Sequence, residues 1–244
     1  MRINQKELSP SPIPRYVIVA DRLRQSLARG EWRIGENLPS LHQLAQDFGV
    51  ARLTARQAVQ LLVQEGLLYS HRGLGTVVTE AATPIKTTLL ETSLHELGQT
   101  YRSLVPRILE INETPCPLPG TAKGSTGYVH MRRLHSNNDQ PDRPYCVISL
   151  YIAEHIFALE PERFRTQAVV PLMLDHNKIQ IAQARQTLTI GTADAELATL
   201  LHIPVGAPVA NVTRVFTDSA GSILYYAEVT YRGDAIRLEI DLKQ

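Results

Sequence analysis

Residues 38–66 read LPSLHQLAQDFGVARLTARQAVQLLVQEG. Ser40, with Gln43 three residues later, has the spacing of a capping box, so a helix starts after Ser40. Leu41, Leu44, Ala45 and Phe48 give that helix one apolar face, and Gly49 closes it after barely two turns. Three residues, Gly49, Val50 and Ala51, lead into a further helix over 52–65 that ends at Gly66. Two short helices joined by a glycine-containing turn of this length make a helix-turn-helix. Val50, Leu53, Ala58, Val59, Leu62 and Val63 are the expected core contacts, whereas Arg52, Thr54, Arg56, Gln57 and Gln60 face elsewhere. Those side chains suit double-stranded DNA. Arginine offers two parallel donors to a guanine edge or a phosphate, glutamine pairs with adenine, and a threonine methyl touches thymine.

Upstream, Tyr16, Val19, Ala20, Leu23 and Leu27 recur at three- and four-residue steps and predict a helix over 16–29, stopped by Gly30. A loop over 31–39 holds the only tryptophan. Downstream, residues 67–71 and 76–79 read as two strands joined by Arg72, Gly73, Leu74 and Gly75. This hairpin has the form of a wing, whose glycines let its backbone approach another surface and whose His71 and Arg72 suit a phosphate or a minor groove.

Several spacings match at once: Leu38-Pro39-Ser40, Leu44-Ala45, Phe48-Gly49-Val50, Arg52, Thr54, Arg56, Glu65-Gly66-Leu67 and Gly73-Leu74-Gly75-Thr76. Residues 14–78 thereby resemble the winged helix-turn-helix of the GntR family of bacterial transcription regulators. The resemblance places the family's recognition arginines at Arg52 and Arg56, with Thr54 between them, and its wing-tip glycine at Gly73. It implies DNA contacts from Ser40, His42, Arg52, Thr54, Arg56, Gln57, His71, Arg72 and Gly73. Two departures stand out. The family often has Glu-Arg after Leu-Pro-Ser, where this chain has Leu41-His42, and often caps the recognition helix with Ser or Thr. Ala51 forgoes that cap at a cost of roughly 1 kcal/mol.

The whole chain has 244 residues, 43% hydrophobic, 20% charged and 6% aromatic, the composition of an ordinary globular protein of one large or two small domains. Its net charge of +1 conceals a modest asymmetry. Residues 1–80 hold ten Lys/Arg against seven Asp/Glu, and residues 81–244 hold fifteen against seventeen. That difference alone identifies no partner. No apolar run approaches the roughly 18 residues that cross a bilayer, and the first fourteen residues are polar, so a cytoplasmic protein without membrane attachment is expected. Cys116 and Cys146 lack metal-ligand spacing and read as idle thiols.

A joint is expected over 80–86, where Ala81-Ala82-Thr83-Pro84 interrupts the pattern, separating a DNA-binding domain over 1–79 from a second domain over 87–244. Segments 105–111, 127–135, 145–152, 179–190, 209–217, 223–232 and 236–242 read as strands. Turns at Asn137-Asn138-Asp139 and Asp218-Ser219-Ala220-Gly221 separate consecutive ones. Helices are expected at 93–99, around 155–164 and at 193–201. The fold class is therefore α+β in two domains, with an antiparallel sheet and packed helices in the second.

Residues 85–242 resemble the effector-binding, UTRA-type domain of the HutC subgroup, which has a fold like chorismate lyase. The matching stretches are Arg133-Leu134, Pro144, Ala195-Glu196-Leu197-Ala198, Ile203-Pro204-Val205-Gly206-Ala207-Pro208, Arg214 and Tyr231-Arg232-Gly233-Asp234. Residues two apart on a strand share a face, so Arg133 and His135 point the same way, a planar fork and a second donor for an anion. Ser93 and Glu96 make another capping box, whose amides, with Thr92, favour a negative charge.

The resemblance implies an anionic effector at such a helix start and at Arg133 and His135. The subgroup usually has a second arginine where His135 stands, so a carboxylate fits at least as well as a phosphorylated sugar. Ile148 replaces an acidic residue of sugar-phosphate readers, which favours a less hydroxylated acid. Tyr226, Glu228 and Tyr231 complete the candidate set, with Tyr231 on the opposite strand face from the other two. Structural alternatives exist: Arg133 paired with Glu228 or Asp234, and Tyr226 in the core.

These readings converge on a homodimeric repressor acting on an inverted repeat and released by a small anion, with no cofactor or metal. The alternative is a lyase-like enzyme acting on a small carboxylate. The sequence shows no G-x-S-x-G elbow, H-E-x-x-H, Walker loop or dinucleotide fingerprint. It is also too short for the aminotransferase-fused branch of the family.

Overall fold

The computed structural model describes residues 12–71, 75–82, 87–102, 104–120 and 127–240. It forms two compact units divided between Pro84 and Ile85. The expected contacts of Arg72 and Gly73, and most of the joint including Pro84, lie outside the described residues.

The first unit contains α1 (Arg15–Ala28), α2 (Leu41–Phe48), α3 (Arg52–Gln64), β1 (Leu68–His71), β2 (Gly75–Val78) and a single 3-10 turn over Glu80–Ala82. The capping box at α2 is complete: Ser40 Oγ accepts from the Gln43 amide, and the Gln43 side chain accepts from the Ser40 amide at 3.0 Å. Gly49 ends α2 in the left-handed region at φ 62°, where a side chain would be strained. Ala51 caps α3 with no side-chain hydrogen bond. β1 and β2 pair antiparallel, and residues 35–38 of the expected loop join them, with the Leu38 amide donating to Thr76 O and Asn37 bridging Val77.

Val19, Leu23, Leu27, Leu44, Phe48, Ala55, Ala58, Val59 and Leu62 form the core of this unit, together with Leu68 and Val78 from the hairpin. Leu53 corrects the expectation from sequence: it is 65% exposed. At about 100° per residue, Leu53 falls between Arg52 and Gln57 on the outward arc of α3, while Ala55, Ala58, Val59 and Leu62 occupy the inward arc. A bidentate pair, Arg24 Nη2 to Glu65 Oε1 at 2.7 Å and Arg24 Nε to Glu65 Oε2 at 3.0 Å, ties α1 to the end of α3.

The second unit is built on a six-stranded antiparallel sheet in the order β4-β5-β6-β9-β8-β7. Its strands are β4 (Arg107–Cys116), β5 (Tyr128–Asn137), β6 (Gln140–Ala153), β7 (Gln183–Thr192), β8 (Pro208–Thr217) and β9 (Ile223–Arg232). A small parallel pair joins β3 (Thr88–Leu90) to β10 (Ile236–Leu238). The helices are α4 (Leu94–Arg102), α5 (Glu154–Phe157), α6 (Pro161–Thr166), α7 (Val169–Asp175) and α8 (Ala195–Leu201).

The helix expected around 155–164 is two, because Glu160 leaves helical geometry and Pro161 restarts the chain at a first helical position. The strand expected from residue 179 starts at Gln183, and the one expected over 105–111 runs from Arg107 to Cys116. α7 and β3 were not foreseen. The main core lies on one face of the sheet, where Met131, Ile148, Leu150, Val212, Ala227 and Val229 meet Leu97 and Tyr101 of α4, Phe164 of α6 and Val169, Val170 and Met173 of α7. α4 also lies close to α7: Gly98 leaves room for Leu174, and Arg102 Nη2 donates to Asp175 Oδ1 at 2.6 Å. On the other face Leu134, Val147 and Leu201 form a smaller cluster under α8.

Candidate DNA-binding face and effector site

α3 presents Arg52, Arg56, Gln57, Gln60 and Leu53 to solvent, with Thr54 half-buried at the margin of that arc. Among the described residues neither Arg52 nor Arg56 makes an ion pair, and both are exposed, so both guanidiniums are available to phosphates or guanine edges. Leu53 adds an apolar contact of the kind a thymine methyl accepts. Its spacing could have revealed it, since it falls within the arc that already holds Arg52 and Gln57. His42 is exposed on α2, with Nε2 3.2 Å from Gln46 Nε2. Ser40 is exposed but its hydroxyl is engaged in the cap. His71 is exposed at the end of β1, opposite Gly75.

Arg133 and His135 do share one face of β5, and that face is the main core: Arg133 is 1% exposed and His135 2%. The Arg133 guanidinium donates to the carbonyls of Phe164 and Gln167 on α6 and its following loop, and meets Met131 Sδ at 2.9 Å. Its Nε has no hydrogen-bond partner among the described residues. Neither suggested carboxylate pairs with it. Glu228 accepts from the Tyr226 hydroxyl at 2.8 Å, and Asp234 is taken by Arg232 at 2.7 Å. Desolvation pushes the Arg133 pKa down to about 10. Desolvation first, then the nearby Arg133 and Arg214 charges, push His135 down to about 3, so the imidazole is neutral. His135 Nδ1 also lacks a hydrogen-bond partner among the described residues.

A second buried arginine approaches the same region from β8. Arg214 donates to the hydroxyls of Tyr101 at 2.7 Å and Tyr231 at 3.0 Å, and through Nε to Gln186 Oε1 at 2.7 Å. Its guanidinium lies 3.8 Å from Glu91, a buried carboxylate whose Oε1 has no hydrogen-bond partner among the described residues. Tyr101 packs edge-on against His135 with ring centroids 5.3 Å apart. Glu91, Tyr101, Gln186 and Arg214 were not among the site residues expected from sequence. Only Arg214 carried a signal, as part of the family resemblance.

Tyr226 and Glu228 lie on the opposite face of β9 from Tyr231, as strand alternation predicts, so the structure does not bring these two to Arg133. Tyr231 does belong to the buried group. Thr92 and Ser93 are exposed beside Glu91 at the start of α4, and their box is displaced. Ser93 Oγ accepts from the Glu96 amide at 3.2 Å, while the Glu96 carboxylate reaches the Thr92 amide at 3.3 Å in place of that of Ser93. A surface hollow of about 450 Å³ between His155, Lys178 and Asp218 is lined by none of the buried polar residues. Cys146 is buried in the core, and no group of three metal-ligating side chains occurs among the described residues. No helix there is long and apolar enough to cross a membrane.

Comparison with known proteins agrees with both units. Residues 15–78 match the family described as bacterial regulatory proteins, gntR family, and residues 120–237 match the UTRA domain. The chain is 30% identical over 240 residues to the HTH-type transcriptional repressor NagR of Bacillus subtilis (strain 168), covering 96% of this chain and 95% of that one. It is 26% identical over 246 residues to the histidine utilization repressor of Klebsiella aerogenes, covering 94% and 95%. The crystal structure of the possible transcriptional regulator YydK from Bacillus subtilis subsp. subtilis str. 168 shares the fold, with TM-score 0.51 and 18% identity over 95% of this chain and all of that one. These are names of regulators, not of enzymes. The chain belongs to the gntR family of bacterial regulatory proteins, with a UTRA domain as its second unit.

Proposed function

We propose that the protein is a transcriptional repressor that binds an inverted-repeat operator as a homodimer and is released by a small anionic metabolite, a carboxylate or a phosphorylated sugar. The observation that carries this reading is the outward arc of α3, where Arg52 and Arg56 stand exposed, with no ion pair among the described residues, on the second helix of a helix-turn-helix. Two-fold symmetry would present two such helices, and two wings, to two half-sites. Arg52, Thr54, Arg56 and Gln57 read bases, while Ser40, His42, His71, Arg72 and Gly73 approach the backbone. The effector half rests on Arg133, buried with no carboxylate partner among the described residues, near a neutral His135 whose Nδ1 likewise has no partner among them. An anion that prefers the off-DNA arrangement shifts the equilibrium toward release, whereas equal affinity for both shifts nothing. That the relatives from Bacillus subtilis and Klebsiella aerogenes are called repressors supports the sign of regulation.

The test is a salt-dependent titration on DNA from upstream of the protein's own gene, beside an unrelated duplex. Preference for the upstream DNA, lost in Arg52→Ala/Arg56→Ala, is the expected result. Equal, weak binding to both duplexes by the wild type counts against the reading.

A further inference from the structure

α3 carries one side chain that the packing of its unit does not explain. Successive helical residues are 100° apart, so Leu53, Arg56, Gln57 and Gln60 fall on one stripe. All four are exposed. Ala55, Ala58, Val59 and Leu62 hold the opposite side at 0–5% exposure, so the middle of the stripe lies directly away from the core. Leu53, 65% exposed, is the most exposed large apolar residue described in the first unit and stands outside its core cluster.

A lone exposed apolar side chain is ordinary on a protein surface. This one is the second residue of the second helix of a helix-turn-helix, and the N-terminal residues of that helix are the ones that reach base edges. Its companions on the stripe are an arginine and two glutamines, the partners of guanine and adenine edges. Leucine neither donates nor accepts, so against a polar base edge it strips water from groups it cannot pair. The major groove offers it a single match, the C5-methyl of thymine. Thr54 also carries a methyl, but it is half-buried a further 100° round the helix, at the margin of the arc.

We infer that Leu53 packs on the C5-methyl of one thymine in each operator half-site and so fixes a T·A pair there. Cytosine at that place lacks the methyl and turns its amino group toward a side chain that cannot accept from it. A purine turns an unpaired N7 the same way. The inference rests on the reading of α3 as the recognition helix, and adds to its hydrogen-bonding residues an apolar reader.

The experiment starts with the full chain and a pool of random duplexes, from which the tightest-binding site is selected. That site is synthesised with thymine or with uracil, which differ in the methyl alone and keep the same hydrogen-bonding groups. Synthetic DNA of this kind has no methylcytosine, so thymine is the only source of the methyl. Affinities for both duplexes are measured with the wild type, Leu53→Ala and Thr54→Ser, the last removing the threonine methyl. Burying a group of this size is worth about fourfold, so across two half-sites uracil should cost the wild type about fifteenfold more than it costs Leu53→Ala. Thr54→Ser should respond to uracil as the wild type does. The two DNAs are compared within each protein, so a change in stability cancels.

Equal losses in the wild type and Leu53→Ala, no loss in either, or a response that survives Leu53→Ala and disappears in Thr54→Ser would each overturn the inference. A selected inverted repeat with any of those results keeps the repressor reading and loses this one. A pool that yields no preferred site removes both.

Discussion

Arg214 reaches Glu91 across a gap of 3.8 Å while its guanidinium donates to Tyr101, Tyr231 and Gln186, so one side chain of β8 gathers groups from α4, β9, β7 and the turn before α4. Removing it leaves the buried Glu91 carboxylate without its counter-charge and takes a donor from each of two phenols, Tyr101 and Tyr231, which keep only the bond between them. Arg214→Leu should therefore lower the stability of the second unit by about 3–5 kcal/mol, the usual cost of breaking a buried pair from one side. Urea unfolding followed by tyrosine fluorescence measures it, and a loss below 1 kcal/mol would show that Arg214 is not the organising residue.

Arg52 and Arg56 predict a change in DNA binding without a change in folding. Each good bidentate base contact is worth about 1–3 kcal/mol, so either alanine variant should lose up to about a hundredfold in operator affinity at an unchanged melting temperature. Fluorescence anisotropy at several salt concentrations separates the roles. A phosphate contact flattens the salt slope, whereas a base contact lowers affinity and leaves the slope in place.

The uncapped start of α3 predicts a gain. Ala51 is exposed, extended and makes no side-chain cap, so Ala51→Ser should stabilise the first unit by roughly 1 kcal/mol. A melting temperature unchanged by the substitution would mean that the α3 amides are already satisfied.

His135 gives the second unit a pH dependence whose sign follows from its burial. Folded, its pKa is near 3, whereas in the unfolded chain it protonates near 6.5. Between those values the unfolded chain binds the extra proton, so stability is full above 6.5 and falls as the pH drops toward 3. From neutrality to about pH 5 the expected loss is about 2 kcal/mol. Denaturant unfolding at both pH values should show a shallower fall in His135→Phe, and equal falls in the two proteins would remove His135 as the source.

The first unit was more legible in the sequence than the second, for a physical reason. Its signals are local: Ser40 and Gln43 complete a box three residues long, and Gly49 and Gly66 stop helices where they stand. Leu53 was misread because apolar character was taken for burial, when its position between Arg52 and Gln57 placed it outside. In the second unit alternation along β5 put Arg133 and His135 on one face, and alternation along β9 separated Tyr226 and Glu228 from Tyr231. Neither showed which face was buried. The contact that joins Arg214 to Tyr101 spans 113 residues of chain, and no periodicity reports such a pairing. α7 is only seven residues long and carries Pro171 in its first turn, where proline is tolerated, so it offers no helical period to read.

The parallel pairing of β3 with β10 fastens the first strand of the second unit to its last, Ile236 beside Thr88 and Leu238 beside Leu90. That unit is thereby a closed loop of chain, zipped at its ends. Shortening the C-terminus past Ile236 would unzip it at the strand that leads straight into Glu91. A tail deletion so far from Arg214 in sequence would then slacken the buried Glu91–Arg214 group from behind.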